Sequence, residues 1–448
     1  MATQSQTPPM ASALFSAGKE IAAQAFLQAM AAIDVRQAML RKIHFEGETL
    51  SAGAEWVRLP RPPRVVAIGK AANRMAATLD EILRGRIEQG IVVSPALPRK
   101  KLAAFRYFEG GHPYPTAGSL ESAEAALKLV CGLSEEDAVI FLISGGGSAL
   151  FEKPLDSAVA LWDLVEFNRL LVTGGLPIEE MNALRKHLSA VKGGRLALAA
   201  QPAQQLTIFV SDVPDHLPSM VASGPTMPDE TTVEDCYAIA QRHQLTGKFP
   251  ASVRRRFDEH TLEETPKPGD PRFGNPHYFC LLSAHDAVGA ARTALERFGF
   301  RSEITPGPWD GDFREVADHQ REALESLARK YSGHPVALVA GGEVTCPVTG
   351  SGMGGRNLAY VLYAATKIEG QKRLVLSAGT DGRDGNSPSA GAIADGQTIS
   401  RARALGLDPA RYLAESDSYY FFRTLGDTID VGFTDNNVRD LRVWLAFI

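Results

Sequence analysis

Cysteine is scarce in this chain, with four in 448 residues, at Cys131, Cys236, Cys280 and Cys346, and no C-x-x-C pair. Thiols so far apart frame neither a zinc knot nor a disulfide scaffold. Long apolar runs are also missing. Even Ile21 to Ile33 is interrupted by Gln24 and Gln28, short of the roughly 20 apolar residues that a membrane span requires. Met1 to Pro9 is polar and Lys19-Glu20 interrupts the next apolar stretch, so no signal peptide is expected. An excess of one charge is lacking too, since 47 basic and 52 acidic residues leave a net −5 without a long basic run. That balance excludes a general nucleic-acid or anionic-membrane surface, and a small anionic ligand would need local positive groups. A cytoplasmic protein is expected.

What is present is the composition of a globular chain, 44% hydrophobic and 22% charged, long enough for two domains. Ser12 to Leu40 has helical apolar spacing at Leu14, Ile21, Phe26 and Met30, which predicts one or two amphipathic helices. From Arg64 onward, short β-branched runs alternate with Ala-rich stretches, the pattern of a mainly parallel sheet with crossover helices on both faces. Predicted strands are Val65 to Ile68, Ile91 to Val93, Ala138 to Ile143 and Leu206 to Val210, with helices at Ser119 to Val130 and Ile178 to Leu188. The helix-breaking cluster Thr261 to Pro276 predicts a domain boundary. Beyond it, Tyr278 to Leu282, Val336 to Ala340 and Leu374 to Ser377 read as strands, and Ala284 to Phe298 and Phe313 to Lys330 as helices. No fixed-period repeat is present.

The chemistry concentrates at glycines. Ser144-Gly145-Gly146-Gly147-Ser148 follows the most apolar strand, where an open α/β sheet binds ligands, and its backbone amides suit phosphate or carboxylate. A tight structural turn is the alternative. Neither familiar nucleotide motif is met: Gly69-Lys70 is followed by Ala71 where a phosphate loop needs Ser or Thr, and Leu150 stands where a dinucleotide fingerprint needs glycine or alanine. Lys70 follows a predicted strand and can enter the same crevice, or face solvent. Asn182 to Ser189 with Lys192-Gly193-Gly194 forms a basic patch that also fits a solvated helix face, and His112 and His187 lack a partner spacing. Ser211-Asp212-Val213 offers a carboxylate after a strand, either a Mg²⁺ ligand or an Asx-turn cap. The densest set joins Gly342-Glu343, Gly350-Ser351-Gly352-Met353-Gly354-Gly355-Arg356-Asn357 and Gly379-Thr380-Asp381-Gly382-Arg383-Asp384-Gly385.

In this order, Ile68-Gly69-Lys70-Ala71-Ala72, Gly111-His112-Pro113, Ile143 to Leu150, Asn182 to Ser189, Ser211-Asp212-Val213, Ala222-Ser223-Gly224-Pro225-Thr226, Gly342-Glu343, Gly355-Arg356-Asn357 and Gly379-Thr380-Asp381-Gly382 resemble the class II glycerate 2-kinase family, over most of the chain. Its C-terminal portion is called the MOFRL domain. The resemblance implies two α/β domains: a Rossmann-like one over residues 1–265 with a mainly parallel sheet, and a smaller MOFRL-type one over residues 277–448, with the active site in the cleft between them. It also implies ATP-dependent phosphorylation of D-glycerate at the 2-hydroxyl, with Mg²⁺, and leaves a homodimer open. Some family members are labelled hydroxypyruvate reductases. Three departures stand out: Leu358-Ala359 replaces the usual Gln-Glu, Arg383 and Asn386 to Ser389 replace an Ile and a Pro-Thr-Asp run, and Asp435-Asn436 interrupts a Thr-Gly-Thr-Asn-Val motif.

Phosphoryl transfer rests on positioning and charge neutralisation. On that reading Lys70 and Arg356 contact phosphate oxygens or the substrate carboxylate, and Ser144, Gly145, Gly146, Gly147 and Ser148 bind an anion. Asp212 and Asp381 ligate Mg²⁺ or accept the hydroxyl proton, Glu343 orients a water or hydroxyl, and Asn357 hydrogen-bonds the acid. The rivals are a nicotinamide-dependent hydroxypyruvate reductase and a small-anion sensor without turnover.

Overall fold

The computed structural model describes residues 9–274, 276–434 and 436–448, so Asn275, in the predicted domain boundary, and Asp435, in the third departure, lie outside the described residues. The chain forms two compact units. One is Val35–Leu282, and the other joins the described residues up to Asp34 to Ser283–Ile448.

In Val35–Leu282, six parallel strands lie in the order Phe105–Glu109, Gln89–Ser94, Arg64–Ile68, Ala138–Ile143, Gln204–Val210, His277–Leu282. Ala138–Ile143 is buried at every position, which is why the sequence there is an unbroken apolar run. Ile68 and Ile143 are register partners, so these two central strands end side by side. From this pair the chain winds outward in opposite directions, and the reversal opens a crevice at their carboxyl ends. The helices Ala117–Val130 and Ile178–Leu188 follow the predicted positions, and Ala72–Ile82 follows the strand Arg64–Ile68. An antiparallel meander, Ile43–Glu46, Thr49–Ala52 and Glu55–Arg58, and the helices Leu161–Thr173 and Val233–Arg242 were not anticipated. Those helices pack through Phe167, Leu171, Leu184 and Cys236, each burial worth about 1.5–3 kcal/mol for the larger side chains.

The division into residues 1–265 and 277–448 is corrected at both ends. His277–Leu282 is the sixth strand of the parallel sheet, paired with Gln204–Val210. The Pro- and Gly-rich segment before it is fastened to the same unit, with Asp229 N donating to Pro266 O at 2.9 Å and Gln201 Nε2 to Phe273 O at 2.7 Å. The break falls at Leu282. At the other end, the helix Pro9–Ala32 belongs with the C-terminal unit. Lys19 Nζ reaches Asp427 Oδ1 at 2.6 Å and Asp395 Oδ2 at 3.1 Å, and Gly18 lets the Phe447 ring lie against the helix.

The second sheet is mixed, in the order Arg301–Ile304, Val336–Ala340, Asp440–Ala446, Arg373–Gly379, Gly391–Asp395, Thr428–Ile429. Asp440–Ala446 runs antiparallel to both neighbours, with Ala340 opposite Arg442 and Gly379 opposite Asp440. Its first residue therefore stands at the same sheet edge as Gly341–Glu343 and Gly379–Asp381. The helices Phe313–Lys330 and Arg356–Lys367 cover the sheet over Tyr360, Phe313 and Trp444. Among the described residues, no helix is long and apolar enough to cross a membrane.

Candidate functional site

At the crevice of the parallel sheet, the turns after the two central strands are bonded to each other. Ser144 N donates to Ile68 O at 2.9 Å, Lys70 N to Gly145 O at 3.0 Å, and Ala71 N to Ser144 Oγ at 3.0 Å. Gly69 has φ +115°, and a Cβ there would lie 2.3 Å from Ser144 O, so only glycine permits this approach. Gly146 has φ +84° and opens the short helix Gly147–Leu150; helix starts leave their leading amides without intrahelical partners. A Cβ on Gly146 would meet His112 Cδ2 at 3.2 Å and Lys70 Cγ at 3.3 Å, and one on Gly145 would meet Asp212 Oδ2 at 2.0 Å. Lys70, His112, Asp212 and the Ser144–Ser148 loop thus converge on one spot. Burial and the Lys70 ammonium hold His112 below its usual pKa, so its imidazole is neutral at pH 7.

Behind the loop, Ala222 and Ser223 adopt φ of +53° and +59°, a strained conformation for residues with a Cβ. Hydrogen bonds hold them there. Ser223 Oγ bonds Asn182 Oδ1 at 2.9 Å and Ser148 Oγ at 2.8 Å, while Gly193 N donates to Ser223 O at 3.1 Å. Three separated sequence motifs are therefore one construction supporting the loop. The basic patch is not a solvated face. Lys192 is fully buried against Glu152 and Phe151 O, Lys186 Nζ pairs with Asp229 Oδ1 at 3.0 Å, and Arg185 Nε bonds Asn168 Oδ1 at 2.9 Å. His187 is buried with Nδ1 at 2.9 Å from Ala183 O. These cations are consumed inside the unit.

At the edge of the mixed sheet, Arg356 is bidentate to Asp440, with Nε to Oδ2 at 2.7 Å and Nη2 to Oδ1 at 2.9 Å, and its Nη1 lies 2.8 Å from Glu343 Oε1. Burial alone would raise the Asp440 carboxyl, but Arg356 outweighs it and holds the group below the usual range. The same contacts hold the Arg356 guanidinium above its ordinary value against burial. Asp381 flanks Gly379 from the other side, its Oδ1 accepting from Arg383 N at 3.1 Å. Arg383 itself is exposed, stacked 4.3 Å from the Phe433 ring centroid.

Asn357 is fully buried, joined to Asp384 and Ser377, so it scaffolds the helix start and is not placed to meet an acid. Asp384 caps that helix, taking Asn357 N at 3.1 Å and Leu358 N at 2.8 Å; burial pushes its carboxyl up to about 6. The glycine-rich loop before the helix also differs from a phosphate cradle. Gly352 N donates to Glu415 O at 2.9 Å, Met353 N to Asp417 Oδ1 at 2.9 Å and Gly354 N to Asn386 Oδ1 at 2.8 Å. Its glycines serve close packing, since a Cβ on Gly355 would lie 2.4 Å from Asp384 Cγ. Sequence reasoning missed Asp440, whose partnership with Arg356 is set by sheet register, while Asp384, which it had singled out within the third glycine cluster, serves as the helix cap.

A family model described as a domain of unknown function (DUF4147) matches residues 21–258, and the MOFRL family model matches residues 336–440. D-glycerate 2-kinase from Thermotoga maritima is 37% identical over 385 residues, covering 85% of this chain and 90% of that one. The chain belongs to the class II glycerate 2-kinase family. A crystal structure of the Thermotoga maritima glycerate kinase has a TM-score of 0.81 at 34% identity, over 96% of this chain and 100% of that chain. An Agrobacterium vitis protein named as a hydroxypyruvate reductase is 36% identical over 427 residues, 92% of this chain and 95% of that one. Class II glycerate 2-kinase membership thus spans both units, and both labels occur among its relatives.

Proposed function

We propose that the protein is an ATP-dependent kinase that phosphorylates D-glycerate, or a closely related small hydroxyacid, at its 2-hydroxyl to give 2-phosphoglycerate and ADP. The observation that carries this reading is the convergence of Lys70, the Gly145–Gly147 loop and Asp212 at the reversal of the parallel sheet. A lysine beside backbone amides suits an anionic oxygen group, either the transferring phosphoryl or the acid's carboxylate. The substrate oxygen bonds to the terminal phosphorus as the bond to ADP breaks, and the hydroxyl proton passes to a carboxylate, for which Asp212 is the candidate. Arg356, held rigid by Asp440, presents its charge at the edge of the mixed sheet, with Asp381 beside it.

Among the described residues no cluster of three or more His, Cys, Asp or Glu side chains forms a metal cage. Mg²⁺ does not need one, because it is commonly bound by one or two carboxylates together with nucleotide phosphates and water. Asp212 in the one unit, or Asp381 in the other, fits that limited role as a single carboxylate, and bound Mg²⁺ would neutralise phosphate charge. The reductase reading is less well supported. The first crossover turn reads Gly69-Lys70-Ala71-Ala72-Asn73-Arg74, without the second and third glycines of a dinucleotide fingerprint. A coupled ADP-release assay over a panel of hydroxyacids, run beside NADH oxidation with hydroxypyruvate, separates the readings. ADP release supports the kinase; NADH oxidation without ADP release refutes it. Ligand binding with neither leaves a sensor.

A further inference from the structure

The C-terminal unit also contains a cavity of about 520 Å³, in which Arg356 is the one lining residue given a role in phosphoryl transfer above. Its size lies within the roughly 300–1,000 Å³ of cofactor pockets, and a three-carbon acid would leave most of it empty. Phe313, Val344, Pro347 and Leu413 give it apolar walls, with Thr345 and Ser418 adding hydroxyls. Arg314 and Arg356 line it and, among the described residues, no carboxylate does. One wall is the backbone of Gly352, Gly354 and Gly355, which bonds to Glu415, Asp417 and Asn386 in this segment make rigid and whose lack of side chains leaves a surface a flat ring can lie against. Apolar walls and a flat backbone face suit a heterocyclic base, and Arg314, together with Arg356 held in place by Asp440 and Glu343, suits a polyphosphate.

We propose that this cavity receives the base and ribose of the nucleotide co-substrate, with its phosphates directed toward Arg356 and Arg314. The inference rests on the kinase reading and adds to it the place where the nucleotide is held.

Cys346 lines the cavity and reports its occupancy. Burial pushes its thiol up to about 11, so alkylation with N-ethylmaleimide is run at about pH 9, where some thiolate exists. Exposed Cys131, in the other unit, is the internal control, and peptide mass spectrometry reads both sites. At free ADP near ten times its Kd, occupancy slows Cys346 labelling roughly tenfold. Adenosine alone also protects, whereas D-glycerate does not, and Cys131 keeps its rate. In parallel, Thr345→Trp and Val348→Asp alter exposed lining positions and so leave folding intact. Each raises KM for ATP about tenfold while KM for glycerate and kcat stay within about twofold. Undiminished Cys346 labelling with ADP, whether equilibrium dialysis finds the ADP bound or not, overturns the proposal, as does an unchanged ATP KM in both variants. Protection by ADP in a protein that releases no ADP with any hydroxyacid refutes the kinase reading while supporting the nucleotide cavity.

Discussion

Replacing Asp440 by asparagine tests the edge of the mixed sheet most sharply. The carboxylate is 2% exposed and accepts Arg356 Nε and Nη2 at 2.7 and 2.9 Å. Asparagine keeps one acceptor but sets an N–H against the guanidinium. Removing one member of a buried pair costs about 3–5 kcal/mol. Here the Arg356 side chain keeps 29% exposure and its contact with Glu343, which brings the expected cost to about 2–4 kcal/mol. At roughly 2–4 °C per kcal/mol for a unit of this size, the midpoint falls by about 5–15 °C. Arg356 also loses its anchor, so kcat/KM drops at least about a hundredfold, roughly 2.7 kcal/mol. Glu343→Gln, at a more exposed pair, costs about 1 kcal/mol or less in stability. Asp440 is held below its ordinary pKa when folded, so its stabilisation is present above about pH 4 and lost as pH falls through the folded value. The gap between wild type and Asp440→Asn is therefore constant from pH 7 down to about pH 4 and closes only on further acidification, as pH falls through the depressed folded value. Asp384 has the opposite sign: with a folded value of about 6, it favours folding increasingly as pH falls from 7 toward 4. Melts by circular dichroism and initial rates measure both effects. A midpoint within about 2 °C of wild type, with unchanged kinetics, refutes the anchoring argument.

Lys70→Ala lowers kcat at least about a hundredfold without shifting the melt, and near wild-type turnover in a folded variant returns Lys70 to the surface. Glu152→Gln strands the buried Lys192 ammonium and destabilises the parallel-sheet unit by about 3–5 kcal/mol, read by urea unfolding; a loss below about 1 kcal/mol contradicts the buried pair. Arg383→Ile removes the exposed guanidinium stacked on Phe433, two residues after Asp381, and changes the ratio of kcat/KM among glycerate, tartrate and erythronate while leaving the ATP requirement intact. Unchanged ratios mean that Arg383 serves only its stack on Phe433.

The parallel sheet was legible because strands buried on both faces must be apolar throughout, as Ala138–Ile143 is. Asp440–Ala446 was not, although it lies mid-sheet, because Asp440 and Arg442 read as surface residues until Arg356, Trp309 O and Gly341 O supply their partners. Lys70 and the Ser144–Ser148 loop were legible as turns after strands, and sheet topology brings them together. The glycine run Gly350–Gly355 misled for a physical reason: glycines permit either a ligand or another chain segment to approach. Here Glu415–Ser418, some sixty residues later, takes that place. The basic patch at Arg185–Lys192 misled likewise, since Glu152, Asn168 and Asp229 neutralise or bind it from afar in sequence.

The central claim is the position of phosphoryl transfer, and the proton-coupled phosphorus NMR spectrum of the product formed from D-glycerate, ATP and Mg²⁺ tests it most directly. Phosphate on the 2-oxygen is three bonds from the single proton at C2 and gives a doublet, whereas phosphate on the 3-oxygen couples to two protons and gives a triplet. Membership of the glycerate 2-kinase family predicts a doublet with stoichiometric ADP. A triplet, or no phosphorylated acid while NADH is consumed with hydroxypyruvate, contradicts the account.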